Sequence, residues 1–154
     1  MGNRRSALES QLLRLAPRMR RFALVLTKGA PESANGLVAA ACDNLWRKFD
    51  HRDETDFEIA AFHEMVTLWR DHLSNADCLE APAILPPASP KAAILSLPID
   101  DRVVIGLMVI ERLSAAQTSA ILGITPLRAG QIHARARRGL DLALAAGRRA
   151  EGAA

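Results

Sequence analysis

The sequence predicts an all-α protein made of two small helical units joined by a proline-rich linker. Aromatic residues make up only 4% of the 154 residues and Tyr is absent. That composition argues against a β-sandwich or barrel, in which Tyr and β-branched residues are common. Ala, Leu and Arg dominate instead and favour helices. All six aromatic side chains lie between residues 22 and 69, so the two halves are expected to have different cores.

The first half carries three amphipathic patterns that are typical of a small helical bundle. They run, in order, over residues 8–26, 33–49 and 55–73. Apolar residues recur every three or four positions in each pattern, as on one face of a helix. Pro17 predicts a kink or a break in the first helix. Thr55 can cap the third helix, with Glu58 completing a capping box.

A proline-rich segment separates this half from the next one. Four prolines fall within nine residues there, at positions 82, 86, 87 and 90. They exclude a regular helix and stiffen the chain as a linker. The predicted organisation is therefore a helical domain over residues 1–74, a linker over 75–90, a second helical domain over 91–146 and a flexible tail over 147–154.

The second half begins with two short helical patterns. The first covers residues 91–97, and the second includes the apolar run from Val103 to Ile110. Asp100 or Asp101 can cap the second of these helices. Because the run is rich in β-branched residues, a strand remains open as an alternative.

The strongest local signal is a helix-turn-helix pattern. Ser114 and Gln117 form a capping box that opens a short helix, and Gly123 is a natural residue to end it. Thr125 is a candidate N-cap for the last helix, with Pro126 at its first position. That helix is expected to run to about residue 145.

The last predicted helix is basic. Residues 81–154 hold nine basic and five acidic side chains, whereas residues 1–80 hold 11 and 12, so the positive charge lies in the second half. A basic helix after such a turn suits the DNA major groove, where arginines bind guanine edges and phosphates. A solvated basic face on an ordinary helix is the alternative from spacing alone.

The residues of this region resemble region four of bacterial ECF-type sigma factors, in the sigma-70 superfamily. The resemblance rests on Leu113-Ser114-Ala115-Ala116-Gln117-Thr118-Ser119-Ala120-Ile121-Leu122-Gly123-Ile124-Thr125-Pro126, on Ala134-Arg135-Ala136-Arg137-Arg138-Gly139-Leu140 and on Leu97-Pro98 with Arg102. The first half is similar to region two, through residues 15–27 and 34–38.

The resemblance implies a transcription-initiation protein that binds RNA polymerase core and promoter DNA, needs no cofactor and is not an enzyme. The DNA contacts it implies are Thr125, Arg128, Gln131, Arg135, Arg137 and Arg138. The residues it implies for contact with polymerase or with an anti-sigma factor are Arg20, Arg21, Leu37, Val38 and Trp69. The implied location is the cytoplasm.

Departures from the sigma pattern favour a second hypothesis. Gly36, Ala39 and Ala40 stand where the family has acidic and amide residues, and Gly130 and Ile132 alter the recognition helix. Residues 20–27 and 61–69 are also similar to helices of the sigma-like domain of PhyR-type stress regulators. That similarity implies a sigma mimic that binds an anti-sigma factor and not DNA.

Other functions have little support in the sequence. The four His and two Cys lack the close spacing of metal ligands, and no membrane span is predicted. The acidic cluster over residues 50–58 is expected to be a solvated loop, although a catalytic carboxylate pair is conceivable. Two cysteines indicate a reduced setting and not a disulfide framework. Phe62 is expected in the core, while Trp69 is either a core residue or an exposed base-stacking residue.

Overall fold

A computed structural model describes residues 2–48, 54–75 and 89–153. These residues form seven α-helices and one π-helical segment, with no strand among them. In chain order, the helices are α1 (Gly2–Leu26), α2 (Pro31–Lys48), α3 (Glu54–Asn75), α4 (Pro90–Leu95), α5 (Ile99–Ile105), the π-helical segment (Gly106–Ile110), α6 (Ala115–Leu122) and α7 (Pro126–Gly152). The predicted all-α class is confirmed.

The first three helices pack against one another as the sequence pattern predicts. Helix α1 is one continuous helix with Pro17 inside it, so Pro17 does not split it. The Pro17 side is exposed, and the apolar stripe that includes Met19 and Phe22 is buried on the opposite face. The rings of Phe22 and Phe62 meet edge to face, with centroids 5.4 Å apart. Phe62 is therefore a core residue.

Two predicted helix starts are wrong. Helix α3 begins at Glu54, so Thr55 lies within its first turn, and Glu58 forms an ion pair with Arg18 instead of completing a capping box. Helix α5 begins after Pro98, so Asp100 and Asp101 lie in its first turn and do not cap it. The backbone continues from α5 into the π-helical segment, which rules out the strand alternative for this run.

The helix-turn-helix forms as predicted, but α7 is longer. Ser114 and Gln117 make a complete capping box at the start of α6. Gly123 ends that helix in the left-handed conformation at φ 67°, and the Thr125 side chain caps α7. Helix α7 then continues to Gly152, which contradicts both the predicted end near residue 145 and a flexible tail beginning at 147. Gly147 itself is buried.

The two halves share one hydrophobic core. The largest cluster of buried residues joins Phe22 and Phe62 of the first half to Leu107, Leu113 and Ile121 of the second. Most of the predicted linker, residues 76–88, lies outside the described residues, as do residues 50–53 of the acidic loop. The contact between the halves is therefore made by packed helices, with α1 against α5 and the π-helical segment, and α3 against α6.

Candidate nucleic-acid interface and docking cleft

Helices α6 and α7 form the frame of a helix-turn-helix. Ala129, Ile132 and Ala136 are the buried positions in the first part of α7, and they turn the opposite face to solvent. Thr125, the N-cap, lies at the exposed start of the helix, where its hydroxyl accepts a hydrogen bond from the Arg128 backbone N–H. This capping fixes the helix N-terminus, the part of a recognition helix that usually contacts base edges.

The exposed face of α7 carries the predicted DNA contacts. Arg128, Gln131, Arg135 and Arg138 follow at spacings of three, four and three residues, so they share one side of the helix. Arg137 is also exposed, but it lies about 100° around the helix from Arg138, on an adjacent face. The structure therefore brings Arg128, Gln131, Arg135 and Arg138 together in one stripe, here called the basic stripe.

Arg135 differs from the other arginines of the basic stripe because it binds a carboxylate of its own chain. Its Nε donates to Asp101 Oδ1 at 2.9 Å, and its Nη2 also donates to that oxygen. The hydrogen bond to Asp101, with its charge, raises the pKa of the Arg135 guanidinium above its usual value. Asp101 is almost fully buried, so this charge pair joins the start of α5 to α7.

A second buried carboxylate joins the two halves of the chain. Glu111 follows the π-helical segment, and its side chain is 0% exposed. Its carboxylate accepts hydrogen bonds from Arg18 Nε at 2.9 Å and from Arg21 Nε at 2.8 Å. The Arg18 Nη2 also donates to the Glu111 backbone carbonyl at 2.9 Å. We call Arg18, Arg21 and Glu111 the clasp.

The clasp also contacts the third helix of the bundle. Arg18 Nη1 lies 2.5 Å from Glu58 Oε1 on α3, and its guanidinium sits 5.6 Å from the centre of the Phe62 ring. Hydrogen bonding to Glu111 and its charge raise the pKa of Arg21. Arg21, predicted as a contact for polymerase or an anti-sigma factor, is thus engaged within the chain.

The other predicted contacts of the first half are less uniformly exposed. Arg20 is exposed and its Nε donates to Asn35 Oδ1 on α2 at 3.0 Å. Leu37 and Val38 are half-buried and pack against the shared core. Trp69 is only 5% exposed, so it is not an exposed base-stacking residue here.

A cleft of about 630 Å³ opens between the halves at the other end of α3. Its lining is mainly apolar, with charged groups at the rim, and consists of Trp69, Arg70, Ile99, Asp100, Val103, Val104, Leu122, Ile124, Arg128 and Ile132. Ile99 remains 47% exposed at this rim. Apolar side chains from α3, α5, α6 and α7 therefore converge on one recess, and Arg128 borders both the cleft and the basic stripe.

Comparison with known proteins identifies a structural relative. No known sequence family and no curated protein matches the chain. Among solved structures, it is similar to the sigma factor RpoE of Bartonella quintana, crystallised in complex with the anti-sigma factor NepR. The TM-score is 0.69 at 24% sequence identity, over 88% of this chain and 95% of that chain. The chain has a sigma-factor fold.

The predicted resemblance to sigma factors is thus confirmed at the level of the fold. The assignment of α1 to α3 to region two and of α4 to α7 to region four stays a prediction. Arg102, from the Leu97-Pro98 motif, is buried, and its Nη1 donates to the Leu95 carbonyl at 3.4 Å. Burial lowers its pKa. Arg102 therefore ties α4 to α5 and does not face a partner.

Sequence reasoning missed the acidic members of both ion pairs. Asp101 was interpreted as a possible helix cap, and Glu111 was not singled out. Arg18 and Glu111 are 93 residues apart, and Arg135 and Asp101 are 34 apart, so no local spacing connects them. The one available signal is that each acid sits beside a strongly apolar run, where a carboxylate needs a partner.

The described residues hold neither a candidate metal cluster nor a helix that could span a membrane. No group of three or more His, Cys, Asp or Glu there is arranged to hold a metal ion. None of the described helices is long and apolar enough to cross a membrane. Cys42 is a half-buried free thiol, and burial, with the nearby Asp43, raises its pKa.

Proposed function

We propose that this sigma-fold chain is a cytoplasmic transcription regulator, not an enzyme, and that it binds promoter DNA through α7. The observation that carries the proposal is the basic stripe, exposed on a capped helix-turn-helix frame. Its arginines face outward over about three turns of helix, which matches the reach of a recognition helix in a major groove. Gln131 lies between them and can hydrogen-bond to adenine.

The number of exposed arginines on α7 predicts how strongly DNA affinity depends on salt. Arg128, Arg137 and Arg138 are exposed and provide three charges for phosphates, whereas Asp101 offsets the charge of Arg135. Each neutralised phosphate contributes about −0.9 to the slope of log affinity against log salt. Three contacts therefore give a slope of about −2.7, while a fourth contact from Arg135 would give about −3.6.

The test is an equilibrium titration of a fluorescent mixed-sequence DNA duplex with the full chain. Arg138→Ala is expected to weaken binding several-fold, because it removes one charge from the basic stripe. Arg47→Ala, at the exposed end of α2, makes the same change of charge in the other half and serves as the matched control. Equal affinity for both variants, or no binding by the parent chain, would contradict the proposal.

RNA polymerase core is the protein partner we propose for the first half. The sigma fold and the exposed Arg20 beside half-buried Leu37 and Val38 support this assignment. Purified core polymerase should co-purify with the full chain, and Arg20→Glu with Val38→Asp should reduce that recovery. If the double variant recovers as much core polymerase as the parent chain does, this surface is not part of the interface.

The cleft favours a second function, the binding of an anti-sigma factor. Its apolar lining suits one face of an amphipathic helix, which binds by filling a groove with apolar side chains. The structural relative was crystallised with an anti-sigma factor, which supports this partner class. In this reading the chain is a sigma mimic, and the basic stripe has no role in DNA binding.

NepR of Bartonella quintana is a defined probe for the cleft. Ile99→Asp places a charge at the apolar rim and is expected to lower NepR affinity by tenfold or more. Val109→Asp is the matched control, because Val109 is 45% exposed against 47% for Ile99 and does not line the cleft. Equal loss with both variants would show that the cleft is not the binding site, and absence of binding by the parent chain would contradict the NepR-like partner.

A further inference from the structure

The clasp and the cleft lie toward opposite ends of α3. Glu58 of α3 holds Arg18 of the clasp, and Trp69 of α3 lines the cleft. Eleven residues separate these two positions, which corresponds to roughly 16 Å along a helix. The two features therefore face the second half of the chain at separate places along one rigid element.

One wall of the cleft is continuous with the element that the clasp holds. Val103 and Val104 of α5 line the cleft, and the same backbone runs directly into the π-helical segment and then to Glu111. Where this element crosses α1, a side chain on Gly106 would come within 2.9 Å of the Phe22 ring. The crossing is thus close-packed, so a shift at Glu111 is transmitted to the cleft wall and not absorbed by empty space.

The packing of the two halves at the clasp depends on the negative charge of Glu111. It is the carboxylate that Arg18 and Arg21 share, and it has no exposure to water. Without it, Arg18 keeps its ion pair with Glu58, while Arg21 loses the carboxylate that it binds. Arg18 and Arg21 both lie on α1, so removing the Glu111 carboxylate removes the charge-assisted side-chain hydrogen bonds that join α1 to the second half, which favours separation.

We propose that the clasp is a positioning device for the cleft: Glu111, bound by Arg18 and Arg21, sets the spacing of the cleft walls from the far end of α3. The cleft is then formed only while the halves are clasped, and a partner that fills it binds the clasped state. The effect of the clasp on partner binding rests on the proposed docking function of the cleft. The effect of the clasp on cleft geometry does not depend on that function.

Trp69 reports cleft geometry without any partner. The chain has two Trp residues, and Trp46 is exposed at the end of α2, so Trp46→Phe leaves Trp69 as the single reporter. In that background, Glu111→Gln is expected to raise acrylamide quenching of Trp69 several-fold. Arg21→Gln, at a half-exposed side chain, is expected to have a smaller effect of the same sign. Glu111→Asp, which keeps the charge, should restore part of the protection.

Glu64→Gln is the matched control. Glu64 is a largely buried acid paired with Lys48, but both residues belong to the first half. Its removal should leave Trp69 quenching unchanged. Circular dichroism identifies any variant that has lost its helices, and Arg21→Gln keeps the test valid if Glu111→Gln does not fold.

NepR binding separates failure of this inference from failure of the proposed function. If Glu111→Gln raises Trp69 quenching and lowers NepR affinity at least tenfold, both stand. If quenching rises but the parent chain does not bind NepR, the clasp stands and the docking function fails. If neither Glu111→Gln nor Arg21→Gln changes quenching, the clasp does not position the cleft, whatever NepR does.

Discussion

The junction between the two halves is built differently on its two sides. At the clasp, a fully buried carboxylate binds two arginines. Close by, Gly106 lets the π-helical segment pack tightly against Phe22 of α1. At the cleft, apolar side chains from four helices converge without filling the space between them. A satisfied polar contact with close packing stabilises a junction, while an open apolar recess is available for recognition. The contrast fits a stabilising role for the clasp and the proposed docking role for the cleft.

The largest expected effect comes from breaking the clasp. Glu111→Ala removes the acceptor for Arg18 and Arg21 and leaves a cavity at a buried site. Removing one member of a buried ion pair costs about 3 kcal/mol or more. Urea denaturation should therefore show a loss of about that size in the free energy of unfolding.

Ile99→Asp at the cleft rim provides the comparison for that measurement. Because Ile99 is exposed, the free energy of unfolding of this variant should differ from that of the parent chain by no more than about 0.5 kcal/mol. An equal loss of stability in both variants would contradict the division between a stabilising side and a recognising side.

Two glycine substitutions sharpen the same comparison with a smaller effect. Gly106→Ala would place a methyl group 2.9 Å from the Phe22 ring and 3.2 Å from Val25, so it should cost about 2 kcal/mol through overpacking. Gly130→Ala on α7 meets nothing within 4 Å and should add about 1 kcal/mol through helix propensity. The two substitutions should shift the unfolding temperature in opposite directions. Shifts of the same sign would show that the crossing of Gly106 and Phe22 is not close-packed.

The smallest expected effect concerns Asp101. Asp101→Asn removes the charge that offsets Arg135 and releases a fourth arginine of α7 for phosphate contact. DNA affinity should rise modestly, and the salt slope should steepen from about −2.7 toward −3.6. A slope that stays the same would mean that Arg135 does not face the DNA.

The features of this fold also differ in whether they could be predicted from the sequence. Helix periodicity, the Ser114 capping box, Gly123 and the Thr125 cap are local signals, and they predicted the helix-turn-helix correctly. The DNA contacts on α7 stay a prediction. The clasp joins residues about 90 positions apart, and the Arg135–Asp101 pair depends on the packing of α5 against α7. Asp101 could be interpreted locally only as a cap, because nothing near it in the sequence indicates its partner. The end of α7 was also predicted too early, near residue 145, yet Gly147 is buried within the helix.

The central claim, that α7 binds DNA through its basic stripe, is tested most directly by the salt dependence of duplex binding. The measurement is log affinity against log salt for the full chain and for the Arg128→Ala, Arg137→Ala, Arg138→Ala triple variant. The account predicts a slope of about −2.7 for the full chain and a slope close to zero for the variant. No binding at low salt, or the same slope for both proteins, would contradict it and would leave the sigma mimic as the function of this fold.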